Sequence, residues 1–220
     1  MLARITIALL ALTGWSLQAA QAQTAIARTV GQGTVSPTGS AQYSIPLWTP
    51  PGIRSVHPNL ALVYDSNSPA GIAGPGWNLA GLSAITRCNA TFAQDAAPGA
   101  VTLTTSDRFC LDGNRLRLTS SEDLTTYGSV NSTYQTEIAN FSLVTASSTT
   151  AGNGPSFFTV QGKDGLIYEY GNTTDGFGNA TGAQVLAQGA TTPYTWALDK
   201  VSDRSGNYMT FTYTQNGGSY

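Results

Sequence analysis

Few residues in this chain are chemically reactive, and they are scattered. Cys88 and Cys110 are the only cysteines, and His57 is the only histidine. Two thiols can form a disulfide, remain as two buried free thiols, or supply a nucleophile or metal ligand. A structural zinc needs four ligands and a nucleophilic thiol needs a base. Only His57 is available for either role, and it stands directly before Pro58, a turn setting. Glu122, Glu137 and Glu169 are the only glutamates and are isolated. Asp107 and Asp112 are close enough to form a carboxylate pair. Each also has a plain local role, Asp112 as a turn residue beside Gly113 and Asp107 as a cap or a partner of Arg108 or Arg115. Asp199, Asp203 and Asn207 sketch a calcium loop but miss the D-x-[DN]-x-[DN]-G register. The G-x-G fragments Gly31-Gln32-Gly33 and Gly74-Pro75-Gly76 never reach a third glycine. The nucleophile-elbow, zincin, phosphate-loop and C-x-x-C motifs are missing from the sequence. The expectation is a protein that is not an enzyme, with no catalytic residue, no metal ligands and no cofactor.

The N-terminus determines how the cysteines read. Arg4 gives a basic start, Ile5 to Leu12 is apolar apart from Thr6, and Ala20-Gln21-Ala22 has the small-x-small form of a processing site. Residues 1–22 therefore read as a secretory signal cleaved after Ala22. Gly14, Ser16, Gln18 and Gln21 break the run well short of the ~20 apolar residues a membrane span requires. The expected location is outside the cell or on its surface, reached through the periplasm. In an oxidising compartment an even cysteine count favours a disulfide. Cys88 and Cys110 lie 22 positions apart, a loop whose closure is worth about 3 kcal/mol. A bridge would place them on adjacent strands or at a strand end, with Cα atoms ~4.4–6.8 Å apart.

The elements that hold these residues are strands. Of 220 residues, 41% are hydrophobic and only 10% charged, against about 25% charged in an average domain. Aromatic residues make up 10% of the chain, which has 24 Gly and 10 Pro. This excludes a disordered polyelectrolyte and a coiled coil. The net charge of −2, with no Lys/Arg cluster, disfavours a nucleic-acid partner. Apolar residues recur with period two over 41–47, 101–105, 115–118, 141–144, 157–160, 166–170, 194–198 and 208–214, with short apolar runs at 60–64 and 109–111. Asp112-Gly113, Asp164-Gly165 and Ser205-Gly206-Asn207 supply turns. The stretches 122–127 and 183–188 are the only helix-compatible ones, and 147–156 and 171–182 read as loops. The fold class is all-β, with ten or more short antiparallel strands forming sandwich-like or shell-forming sheets.

One longer pattern is more specific. Gly39-Ser40-Ala41-Gln42-Tyr43-Ser44-Ile45-Pro46-Leu47, then Pro50-Pro51-Gly52, Pro58 to Ser66, Gly74-Pro75-Gly76-Trp77-Asn78-Leu79 and Asp107 to Gly113 together resemble the SpvB-type N-terminal domain. That domain opens the Salmonella virulence plasmid protein, the B component of insecticidal toxin complexes and many RHS/YD-repeat proteins. The resemblance implies a linker at 23–32, an SpvB-like β domain at 33–145, and further β hairpins at 146–220 that lead toward RHS-like repeats. It also implies an exported, non-catalytic shell segment of a virulence or competition protein, whose partners are the remainder of its own polypeptide or other toxin-complex subunits. The ADP-ribosyltransferase of the virulence protein needs a Ser-Thr-Ser strand and a Glu-x-Glu loop, and neither occurs in this sequence. The alternative is a surface β-sandwich that binds a glycan or a host protein, for which aromatics gathered on one exposed face would speak. The strand 208–214 is expected to lack its next neighbour, as in an N-terminal fragment or a split gene product.

Overall fold

A computed structural model describes residues 30–71, 73–119, 126–174 and 182–214. Sixteen strands and one short helix make up the described chain, in agreement with the all-β expectation. Four strands, β1 (Gln32–Val35), β2 (Ala41–Pro46), β3 (Ala61–Asp65) and β6 (Trp77–Ala80), form an antiparallel sheet in the order β1-β2-β3-β6. A two-residue hairpin, β4 (Ala70–Gly71) with β5 (Gly74–Pro75), interrupts the run between β3 and β6.

The larger unit is a closed barrel. Its strands are β7 (Ala84–Cys88), β8 (Arg108–Leu111), β9 (Asn114–Leu118), β10 (Thr133–Thr136), β11 (Leu143–Ala146), β12 (Phe158–Gln161), β13 (Ile167–Tyr170) and β15 (Pro193–Ser202). Each pairs with the next, and β15 closes the ring by pairing with both β13 and β7. β14 (Gln184–Leu186) and β16 (Tyr208–Thr210) flank the two halves of the long β15. Eight strands enclose just enough room for side chains, and this sequence fills it with rings. Phe109 lies 5.3 Å from Phe158, 5.4 Å from Trp196 and 5.5 Å from Tyr127 between centroids. The polar tips are satisfied: Trp196 Nε1 donates to the Pro155 carbonyl, and Tyr127 Oη donates to that of Leu116. The expected boundary after residue 145 falls inside β11, and strands on both sides of it share the barrel.

Turn chemistry sets the hairpins. Asp112 and Gly113 both have positive φ (49° and 79°) and join β8 to β9, the geometry a two-residue hairpin requires. Gly165 (φ 81°) turns β12 into β13.

Five segments depart from the sequence expectation. Residues 101–105 form a bend, not a strand, because Asp107 Oδ1 draws in both the amide and the hydroxyl of Thr102, and Leu103 takes φ 59°. Phe141, also at positive φ, belongs to a turn organised by Asn140, so β11 starts only at Leu143. The helix-compatible stretch 183–188 contains β14 instead, since pairing with β15 outweighs a weak local preference. The other helix-compatible stretch falls largely outside the described residues. The one helix, α1 (Phe92–Asp95), arises where none was expected: Thr91 caps it, accepting from the Gln94 amide, while the Thr91 amide donates to Asp95. Finally, β16 covers only the first three residues of 208–214, and among the described strands it pairs with β15 alone.

Candidate functional site

The two cysteines sit on neighbouring barrel strands, Cys88 at the end of β7 and Cys110 within β8. They are joined by a disulfide with Cα atoms 5.9 Å apart, inside the expected span. The bridge ties the β7–β8 connection, including α1, to the barrel wall. Asp95 of α1 pairs with Arg108 and Arg115 from the same wall. Burial pushes the Asp95 carboxyl up, but the Thr91 amide and the two guanidiniums outweigh it and hold it below the ordinary range.

A second constellation was not anticipated. Arg87 has a fully buried side chain at one end of the barrel interior. Its Nε donates to the Pro193 carbonyl (2.9 Å), Nη1 to the Thr104 carbonyl (2.8 Å) and Asp107 Oδ2 (3.0 Å), and Nη2 to the Asn153 carbonyl (3.0 Å). The guanidinium also lies 5.4 Å from the Phe109 ring and 5.6 Å from that of Trp196. Asp107 therefore pairs with Arg87, not with Arg108 or Arg115 as its neighbours in sequence suggested. Burial pushes its carboxyl up, but Thr102 and Arg87 outweigh that and lower it. The arrangement ties the loop of Thr104 and Asp107 and the loop of Asn153 to the start of β15. All three guanidinium nitrogens donate to protein acceptors, so the group acts as a structural knot. Sequence did carry a signal for it: Ile85 and Arg87 alternate on one face of β7, and that face is the core.

The remaining sequence candidates are held locally. His57 is exposed, its Nδ1 3.4 Å from the Pro58 carbonyl. Asp112 accepts from the Ala84 amide and Ser83 Oγ, bracing its own turn against β7. Asp203 accepts from the amides of Ser205 and Asn207 and from Asn207 Nδ2, an Asx turn rather than an open cation cradle. Among the described residues no group of three or more His, Cys, Asp or Glu could hold a metal ion.

The strand residues of the four-stranded sheet are all exposed or half-buried. Its register aligns Tyr43, Tyr64 and Trp77 in one row and Ile45, Leu62 and Leu79 in the next, all on one face. Tyr64 and Trp77 lie 5.3 Å apart, centroid to centroid. The opposite face carries the rows Gln32-Ser44-Val63-Asn78 and Thr34-Gln42-Asp65. A groove of about 480 Å³ opens there, lined in part by Gln32, Thr34, Gln42, Asp65 and Asn78. Gln42 and the Asn67 amide donate to Asp65 and keep its carboxyl below the usual range.

With this geometry in place, comparison with known proteins settles the relationship. The family model described as Salmonella virulence plasmid 65kDa B protein (SpvB) matches residues 35–219. The chain belongs to this family. Two solved structures share its fold. One is the Photorhabdus luminescens Tc holotoxin pore carrying the TccC3-D651A mutation, at 20% identity and a TM-score of 0.63, covering 87% of this chain. The other is the TcdB2-TccC3 crystal structure, at 22% identity and a TM-score of 0.61, covering 86%. In both cases the match occupies 9% of the solved chain. A comparison with the curated proteins finds no match.

Proposed function

We propose that this SpvB-family chain is an exported, non-catalytic structural module, the N-terminal part of the β shell of an RHS/toxin-complex-like virulence or competition protein. Its partners are the remainder of such a polypeptide or other toxin-complex subunits. The observation that carries this reading is the family match across residues 35–219 on a barrel whose interior is packed solid with aromatic rings. A filled barrel has no lumen for substrate, and its buried charged pair, Arg87 and Asp107, is engaged in bracing loops. The disulfide fits passage through an oxidising compartment, and no helix among the described residues is long and apolar enough to cross a membrane.

Complementation tests the assignment. A toxin-complex B chain lacking its own matching segment is co-expressed with this chain. The two should co-elute, and the shell should again protect its cargo from protease. Separate elution with an unprotected cargo would overturn the reading. Purified protein incubated with labelled NAD and candidate acceptors should transfer no label.

The alternative, a binding module for a glycan or host protein, attaches to one observation: the uncovered groove on the polar face of the four-stranded sheet, rich in amide and hydroxyl side chains. Saturable binding on a saccharide array, lost in a Gln32→Ala/Asn78→Ala double variant, would favour it over the shell reading.

A further inference from the structure

Asp199 stands on the closing strand of the barrel with its side chain inside the protein, 1% exposed. Among the described residues its Oδ1 is the one buried side-chain oxygen or nitrogen without a hydrogen-bond partner. The backbone explains how it came there. Glu169 of β13 pairs with Lys200 and Tyr170 with Leu198, so Asp199 is the extra residue of a β-bulge and has no partner on β13. The chain beyond β16 then lies back along β15 at this point. The Phe211 amide donates to the Asp199 carbonyl at 2.7 Å, and Tyr213 Oη donates to the Leu198 carbonyl at 2.6 Å.

Among the described residues, the groups facing Asp199 offer it little. From β13 comes Glu169, a like charge, whose Oε1 already holds Lys200 Nζ at 3.1 Å and whose Oε2 accepts from Asn172 Nδ2. From β15 itself comes Lys200, shared with Glu169, and from beyond β16 comes the Tyr213 hydroxyl. The backbone amides of Asn172 and of Asp199 itself supply some favourable polarity. A buried carboxylate with an unmet oxygen is costly, whereas the neutral acid loses far less on leaving water. Burial, and after it the Glu169 charge, push the Asp199 carboxyl up to about 7. Burial and the nearby Asp199 push the Tyr213 phenol up to about 12, so it remains a donor throughout.

We propose that Asp199 is an acid-closed latch: protonated, it lets residues 208–214 lie against the barrel-closing strand, and ionised, it releases them. The sign follows from linkage. In the closed state burial holds the carboxyl up near 7, and release into water returns it toward the ordinary carboxylate value of 3.8. The closed state therefore binds the proton more tightly. Closure is fully favoured below the open-state value, weakens as pH rises from about 4 to 7, and stays weakened above.

Hydrogen exchange on the full chain between pH 5 and 8.5, with intrinsic rates divided out, tests the latch. The opening constant at the Phe211 amide should rise close to tenfold per pH unit below about 7 and then level off. Asp199→Asn should abolish the slope and retain at pH 8 the protection seen at pH 5. Glu169→Gln, which removes the neighbouring like charge, should move the levelling-off point to lower pH. A pH-independent opening constant in the wild-type protein, or an unchanged slope in Asp199→Asn, would overturn the proposal. Should Asp199→Asn not fold, an unmoved levelling-off point in Glu169→Gln would overturn it equally.

Discussion

Arg87 shows how one residue can set the terms for a whole end of the barrel. A guanidinium presents its donors in a rigid planar fork, and here that fork meets three carbonyls and a carboxylate from two loops and the start of β15. Removing one member of such a buried pair leaves an uncompensated charge, typically costing about 3–5 kcal/mol. Asp107→Asn should therefore lower stability by about 3 kcal/mol in urea unfolding. Arg87→Lys, which keeps the charge but loses the fork, should also be clearly destabilised. Because Asp107 is held below its ordinary range, its contribution is present above about pH 4 and is lost on further acidification. The wild-type protein should thus lose stability below pH 4 more steeply than Asp107→Asn, a comparison that thermal scans at pH 3 and pH 6 provide. The disulfide is the other residue-scale brace. Cys88→Ser/Cys110→Ser should cost about 3 kcal/mol, the loop-entropy value for its length. An unchanged urea midpoint would show that the bridge constrains nothing the barrel does not already fix.

Turns and bulges decide the element scale. Gly171 (φ 75°) follows β13, and a Cβ there would collide with the buried ring of Trp196. Gly165 (φ 81°) has open space around its missing Cβ. Alanine at Gly165 should cost only the backbone penalty, about 1 kcal/mol, while alanine at Gly171 adds displacement of Trp196 and should cost several times more. Differential scanning calorimetry of the two variants separates backbone strain from packing. Such turns were legible in the sequence because Asp-Gly between alternating runs has few other solutions, and the β12–β13 and β8–β9 hairpins follow directly. What was not legible involved partners distant in the chain. The 101–105 bend depends on Asp107 and Arg87, 20 residues apart in sequence but bonded in the barrel. β14 exists only because β15 offers an edge. The bulge at Asp199 left a faint trace, since the buried residues Trp196, Leu198 and Val201 are spaced by two and then three. That slip in period was the available sign that an aspartate had been turned inward.

The whole molecule divides into parts of unequal robustness. The barrel is closed, so its strands expose no unpaired edge, and it contains nearly all of the fully buried side chains. The four-stranded sheet differs on both counts. None of its strand residues is fully buried, and its outer strands β1 and β6 each pair on one side only among the described residues. An uncharged run from Val30 to Gly39 contains β1, without the lysines or inward charges that usually blunt an edge, although Pro37 lies just beyond it. Open edges and sparse burial place a unit at the low end of local stability. In native-state hydrogen exchange, amides of β2 and β3 should therefore exchange at lower denaturant than those of β8, β9 and β12, as a separate cooperative unit. The same exposed edge should make the isolated chain associate as concentration rises, and Thr34→Lys, which places a charge on β1, should suppress that association in sedimentation velocity. A sheet that exchanges in step with the barrel, in a chain that stays monomeric at high concentration, would mean that it is as well supported as the barrel.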